Sequence, residues 1–164
     1  MKAAIVMGSN SDYPVVERAE RILKAFEVEY EKRILSAHRT PELVRDFALG
    51  AEESGIEVII AAAGKAAHLA GVIASLTPLP VIGLPIKSST MDGLDSLLSV
   101  VQMPSGVPVA TVAIDGAENA GLLAIQILSV KYESLRNAIR TYKTNMAKDI
   151  KRLDEEFSLA NIND

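Results

Sequence analysis

The chain has 164 residues, of which 49% are hydrophobic and 23% charged, and its formal net charge is −4. This length predicts a single domain over residues 1–164, and a net acidic domain is unsuited to general nucleic-acid binding. Cysteine is absent, which excludes disulfides, thiolate metal ligands and cysteine nucleophiles. The N-terminal apolar run is too short for a signal peptide or a membrane span, so we expect a soluble, cytoplasmic protein.

Short apolar runs alternate with amphipathic segments along the chain. Five runs are predicted to be strands: Ala3–Met7, Val28–Leu35, Val58–Ala63, Val81–Leu84 and Val107–Ile114. Charged residues in the second run place it near a sheet edge, whereas the third is uniformly apolar, as expected of a strand covered on both faces. Six segments are predicted to be helices: Tyr13–Phe26, Pro41–Glu53, Ala67–Leu76, Gly93–Val101, Gly116–Val130 and Tyr132–Phe157. Residues Ser158–Asp164 are expected to form a frayed tail.

This alternation predicts a three-layer α/β/α doubly wound, flavodoxin-like parallel sheet with a core over 3–130 and a long C-terminal helix. Ligands of such sheets bind outside the carboxyl ends of the strands, so function should lie in the loops that follow them. The helix predicted at Gly116–Val130 is apolar almost all round. Either a subunit interface or the terminal helix must therefore cover its outer face.

The first of these loops, Gly8–Asp12, joins a strand to a helix and contains two serines. Glycine lets a ligand approach the backbone closely, and a helix N-terminus favours an anion, so the loop suits a phosphate. Capping of the helix by Ser11 or Asp12 explains the same residues equally well. The glycine patterns typical of dinucleotide and nucleoside triphosphate sites are missing here and at Gly64.

The second loop, Ser36–Pro41, contains one of the two histidines. Arg39 suits bidentate contacts to a phosphate, and His38 can transfer protons near neutral pH. A capping role for Ser36 or Thr40, with His38 as a bystander, is the alternative. The adjacent arginine and the position at a strand end favour catalysis by His38.

The third loop carries the second histidine, His68, two or three residues inside a predicted helix. Gly64 and the small residues after it leave room for a flat ligand. From spacing alone, a buried structural role for His68 is slightly favoured. A metal shared by the two histidines is disfavoured, because no cysteine or carboxylate cluster accompanies them.

Five motifs in these loops resemble the N5-carboxyaminoimidazole ribonucleotide mutase (PurE) family of purine biosynthesis, in its class I form. They occur in the family's order and spacing between Ala3 and Leu128: Met7–Asp12, Ser36–Pro41, Ala66–Leu69, Gly93–Ser99 and Val101–Pro104. The resemblance implies conversion of N5-carboxyaminoimidazole ribonucleotide to 4-carboxy-5-aminoimidazole ribonucleotide, without a metal, nucleotide or organic cofactor. It also implies a homo-octamer and a functional link to the ATP-dependent enzyme that makes the substrate.

Residue roles carry over from the family by motif. The resemblance implies that His38 is the general acid and base, that Arg39 contacts the phosphate, and that Ser9 and Asp12 bind the ribonucleotide. His68 is implied to line the same pocket. We expect the remaining substrate-binding residues to be Ser11, Ser36, Gly64 and Leu69.

The sequence departs from the commoner bacterial pattern at Lys65 and Ala70, where a glycine and a proline are usual, and in a segment after Ile114 that is about two residues shorter. Lys65 either attracts the substrate carboxylate or points to solvent. Two other functions stay open: direct carboxylation of aminoimidazole ribonucleotide by carbon dioxide, and non-catalytic binding of flavin mononucleotide or another phosphorylated ligand. Only Tyr13 could stack on a flavin near these loops.

Overall fold

Five parallel strands form one sheet in the computed structural model, which describes residues 1–160. They are β1 (Lys2–Met7), β2 (Glu29–Ile34), β3 (Val58–Gly64), β4 (Val81–Ile86) and β5 (Ala110–Thr111). Their order is β2-β1-β3-β4-β5, and every neighbouring pair is parallel. The predicted doubly wound parallel fold is confirmed. β2 lies at the edge, as its charged residues indicated, while β3 and β4 are buried inside the sheet.

Helices cover both faces of the sheet. They are α1 (Tyr13–Ala25), α2 (Pro41–Gly50), α3 (Leu69–Ala74), α4 (Leu94–Val101), α5 (Ala117–Leu128) and α6 (Glu133–Ala160). Successive side chains of β1 point to opposite faces: Ala3, Ile5 and Met7 pack with α1, α5 and α6, whereas Ala4 and Val6 pack with α2, α3 and α4. The sheet therefore separates two apolar layers.

The fifth strand is much shorter than the sequence predicted. Instead of Val107–Ile114, only Ala110–Thr111 pair with β4, and Val112 donates one further hydrogen bond to the carbonyl of Gly83. Pro108 has no N–H to donate to a ladder, which limits pairing before Ala110. The chain then turns at Asp115, whose φ is +55°, to enter α5.

The terminal helix is longer than predicted, since Ser158–Ala160 belong to α6; the rest of the predicted tail lies outside the described residues. Leu135 and Ile139 of α6 are buried in the same apolar layer as α5. The terminal helix thus covers part of α5, one of the two alternatives for its apolar surface. None of the helices within residues 1–160 combines the length and apolarity needed to cross a membrane.

Candidate active site

A cavity of about 620 Å³ opens at the carboxyl edge of the sheet, where the loops after β1, β2, β3 and β4 converge. Because β2 and β3 lie on either side of β1, their loops flank the point where the winding of the sheet reverses. Eight of the nine residues expected to form the site line this cavity: Ser9, Ser11, Asp12, Ser36, His38, Arg39, Gly64 and Leu69.

The first loop is held by a capping box. Ser9 Oγ accepts the N–H of Ser11 at 3.2 Å, and the Ser9 N–H donates to Asp12 Oδ2 at 3.0 Å. The expected cap, Ser11 or Asp12, is therefore wrong, because Ser9 is the cap of this turn and the Asp12 side chain makes no capping hydrogen bond to α1. Ser9, Ser11 and Asp12 also form part of the cavity wall. Burial raises the pKa of the Asp12 carboxyl, although the Ser9 N–H, the Ser11 hydroxyl and the Arg39 charge act to lower it.

Arg39 links the first two loops. Its Nη2 donates to the carbonyl oxygen of Gly8 at 2.8 Å, and its Nε donates to Ser36 Oγ at 3.3 Å. Thr40 Oγ1 accepts the N–H of Ser36 at 3.0 Å, which holds the start of the second loop. A guanidinium has five N–H donors, so Arg39 keeps donors for an anion in the cavity while these contacts fix its plane.

The two histidines contact each other across the end of β1. His38 Nε2 and His68 Nδ1 lie 3.0 Å apart, and the rings meet edge to face at 83°. His68 precedes α3 as its N-cap residue, rather than lying inside a helix, and it is exposed. The expectation of a buried structural histidine is therefore wrong. His68 is not among the residues that line the cavity. It contacts His38, which does line the cavity.

Function was expected in the loop after β4 as in the other loops, but none of its residues was predicted to belong to the site, whereas Ile86, Lys87 and Ser88 line the cavity. Lys87 donates its backbone N–H to Asp115 Oδ1 at 2.8 Å, and its Nζ lies 2.8 Å from Asp92 Oδ1. The available signal was position alone, because this loop follows a buried strand and reads otherwise as a turn. Lys65 also lines the cavity, with a left-handed φ of +55°.

The side chains around the cavity are poorly suited to bind a flavin or a metal ion. The residues that line the cavity include no Phe, Tyr or Trp, and the Tyr13 hydroxyl donates instead to Glu20 Oε2 at 3.2 Å. Within residues 1–160, no three His, Cys, Asp or Glu side chains are grouped so that they could hold a metal ion. The wall combines an arginine and hydroxyls, which suit a phosphate, with a histidine pair that can exchange protons.

Comparisons with known proteins agree with this arrangement. The N5-carboxyaminoimidazole ribonucleotide mutase of Pyrococcus horikoshii is 61% identical over 155 residues, covering 92% of this chain and 88% of the relative. The enzyme of the same name from Thermotoga maritima is 56% identical over 149 residues, covering 91% and 87%. The crystal structure of Treponema denticola PurE superposes with a TM-score of 0.85 at 30% identity, covering 94% of this chain and 97% of that one.

The family model described as AIR carboxylase matches residues 2–149. This match spans all five strands and every loop that lines the cavity. The resemblance noted in the five sequence motifs is thereby confirmed, and the chain belongs to the AIR carboxylase family.

Proposed function

We propose that this chain is an isomerase of purine biosynthesis, which converts N5-carboxyaminoimidazole ribonucleotide to 4-carboxy-5-aminoimidazole ribonucleotide. The observation that carries the proposal is the contact of His68 with His38, 3.0 Å apart, where His38 lines a cavity that also presents Arg39 and four serines. The relatives named as mutases, which match most of the chain, support the same reaction.

The substrate phosphate binds on the side of the cavity that carries Arg39. Arg39 and the hydroxyls of Ser9 and Ser11 lie on the side of the cavity formed by the loops after β1 and β2. Arg39 is already fixed by its contacts to Gly8 and Ser36, so it loses little conformational freedom when it takes up the phosphate. The phosphate is remote from the reacting atoms, and its binding energy serves to position the imidazole beside His38.

The reaction needs two proton transfers through His38, one to nitrogen and one from carbon. In the first half, protonated His38 gives its proton to the exocyclic nitrogen, the bond between nitrogen and carboxyl carbon breaks, and carbon dioxide is released within the site. In the second half, ring carbon 4 forms a bond to the carbon dioxide, and neutral His38 removes the hydrogen from that carbon. Protons and electrons balance over the two halves, so His38 ends the cycle as it began.

His68 controls which nitrogen of His38 carries out this transfer. Two doubly protonated rings cannot face each other at 3.0 Å, because each would point an N–H at the other. When His68 Nδ1 accepts the hydrogen of His38 Nε2, the Nδ1 atom of His38 is left to exchange the proton with substrate in both halves. His68 is a positioning residue in this mechanism.

The test supplies purified protein with N5-carboxyaminoimidazole ribonucleotide and, separately, with aminoimidazole ribonucleotide plus bicarbonate. Formation of the 4-carboxy product is followed by ultraviolet absorbance, with His38→Asn as the inactive control. We expect rapid conversion of the first substrate and a fall in kcat of about 10²- to 10⁴-fold in the variant. Preference for the second pair of substrates would instead indicate a direct carboxylase, and failure with both would leave a binding protein for another phosphorylated ligand.

We also propose that the chain assembles, as an octamer according to the family resemblance. Two exposed apolar stripes support association. Leu94, Leu98 and Val101 follow one face of α4, while Met146, Ile150, Leu153 and Phe157 follow one face of α6. Residues 147–158 of α6 form a charged stretch of helix with exposed side chains, and an isolated helix of that length is marginal in water. Light scattering should give eight times the 17.5 kDa of one chain, and a species of 17.5 kDa would contradict assembly.

The chemistry of the proposed substrate also indicates which enzyme precedes this one and where both act. The family resemblance implies an ATP-dependent enzyme that makes the substrate, and because the N-carboxyl group is labile we expect that enzyme to be in the same compartment. Phosphorylated ribonucleotides do not cross membranes, which supports a cytoplasmic location for both enzymes. Mixing the two enzymes tests for direct transfer, which would make product formation resistant to an added trap for free substrate.

A further inference from the structure

Lys65 adopts a backbone conformation that disfavours lysine. Its φ is +55°, in the left-handed region that glycine enters freely and other residues enter at a cost in folding energy. The turn requires this conformation: the N–H of Ala67 bonds to the carbonyl of Lys65, and the N–H of His68 to that of Ala66, each at 2.8 Å. A glycine would make the same turn without strain, so the lysine side chain must serve something other than local stability.

Positive side chains outnumber carboxylates in the cavity wall, and Lys65 is the cation without a partner among residues 1–160. Three cationic side chains line the cavity, and two of them already have partners: Arg39 donates to Ser36 and Gly8, and Lys87 pairs with Asp92. Within the described part of the chain, Lys65 Nζ has neither a hydrogen-bond nor an ion-pair partner. Among the described residues that line the cavity, Asp12 is the one carboxylate, and its Oδ2 accepts the Ser9 N–H. The wall therefore suits a ligand with more than one anionic group.

The position of Lys65 separates it from the phosphate end. Lys65 follows β3, whereas Arg39 follows β2, and β1 lies between these two strands. Two strand spacings amount to roughly 10 Å, so the loops after β2 and β3 can hold opposite ends of one ribonucleotide. The exposed Lys65 side chain then belongs to the loop that would hold the base, and this loop leads directly to His68, the contact of His38.

We propose that Lys65 binds the migrating carboxylate, both on the exocyclic nitrogen of the substrate and on carbon 4 of the product. This inference rests on the proposed function and extends it to a residue that discriminates between carboxylated and uncarboxylated ribonucleotides. The carboxylate gains a cation only at the two ends of the reaction, because carbon dioxide itself is uncharged. Lys65 thus favours substrate and product over the decarboxylated ribonucleotide in the same site.

The experiment measures equilibrium binding by calorimetry in a His38→Asn background, which prevents turnover. The ligands are 4-carboxy-5-aminoimidazole ribonucleotide and 5-aminoimidazole ribonucleotide, which differ by the carboxylate alone. The variants are Lys65→Gln, Lys65→Gly and Lys65→Arg. Lys148→Gln on the exposed part of α6 is the matched control for a loss of one positive charge.

We expect Lys65→Gln and Lys65→Gly to weaken binding of the carboxylated ligand about five- to tenfold and to change the other ligand less than about twofold. Lys65→Arg should retain most of the preference for the carboxylated ligand, and Lys148→Gln should leave the binding of both ligands unchanged. Lys65→Gly should melt no lower than its parent, because the backbone strain is relieved. Equal losses for both ligands, no loss for either, or a lower melting temperature for Lys65→Gly would overturn the proposal. A parent protein that binds neither ligand would overturn the proposed function, and this inference with it.

Discussion

Glu20 is a carboxylate buried against the edge of the sheet, and its replacement should lower stability in a pH-dependent way. Only 4% of Glu20 is exposed. Tyr30 donates to its Oε1 at 2.7 Å, where Lys24 Nζ also lies at 2.7 Å, and Lys32 Nζ lies 2.9 Å from Oε2. These contacts join α1 to β2, the edge strand next to the loop that carries His38.

The contribution of Glu20 to the free energy of unfolding follows from its pKa. Burial acts to raise it, but the hydrogen bonds from Lys24, Tyr30 and Lys32 outweigh burial and lower the pKa from 4.5 to about 2. A carboxyl with a lowered folded pKa stabilises the fold above the unfolded value, and this contribution is lost as pH falls from about 4.5 to about 2. The full difference corresponds to about 3 kcal/mol, which solvent screening of the partly exposed lysines reduces to about 2 kcal/mol.

The assay is urea denaturation of Glu20→Gln at pH 7 and at pH 3. Glu17→Gln is the matched control, because Glu17 pairs with Arg21 on the same helix but is 46% exposed. We expect a loss of about 2 kcal/mol for Glu20→Gln at pH 7, against less than about 0.5 kcal/mol for the control. The loss should shrink at pH 3. Equal effects of the two substitutions, or a loss that does not depend on pH, would show that the ionised Glu20 carboxylate does not stabilise the fold.

Three further predictions concern the core and the site. A Cβ on Gly83 would lie 2.2 Å from Val100 Cγ1, so Gly83→Ala should cost about 1–3 kcal/mol in urea denaturation. Adding Val100→Ala should recover part of that cost; strictly additive losses would contradict the clash. Burial raises the pKa of Asp12, which means that its ionisation opposes folding as pH rises, so Asp12→Asn should melt no lower than the parent at pH 7. Asp12→Ala, which also loses the contact to the Ser9 N–H, should melt lower than Asp12→Asn, and the reverse order would count against the cap. His68→Phe keeps a ring but removes the contact to His38, so kcat should fall roughly 10- to 100-fold with little change in KM, whereas a change in KM alone would exclude a positioning role.

The sequence predicted those elements whose patterns follow from burial. The uniformly apolar β3 and the charged β2 have the environments of a central and an edge strand, and the structure gives them those places. β5 was overestimated because Val107–Ile114 has the composition of a strand, although only Ala110–Thr111 reach a partner. Composition indicates whether a segment can form a strand, but the length of the strand also depends on how many of its residues pair with the neighbouring strand.

The site was predictable at the level of loops and much less at the level of contacts. Parallel topology alone brings the loops that carry Ser9, His38 and Gly64 to one edge. The contact of His38 with His68 depends on how two loops bend across the end of β1, and no spacing in the sequence encodes it. Lysine itself gives no local signal for the positive φ of Lys65, and the one hint in the sequence is the family resemblance, in which a glycine is usual at this position.

In the proposed reaction the carboxyl group moves within the site from nitrogen to carbon, and an isotopic label distinguishes this path from carboxylation by free carbon dioxide. N5-carboxyaminoimidazole ribonucleotide labelled with carbon-13 in its carboxyl group is converted in the presence of excess unlabelled bicarbonate. The label in the 4-carboxy product is then measured by mass spectrometry. We expect most of the product to keep the label, because carbon dioxide is released and recaptured beside His38 and Lys65. A product that carries the unlabelled carbon of the bicarbonate pool would contradict the mutase and establish a direct carboxylase.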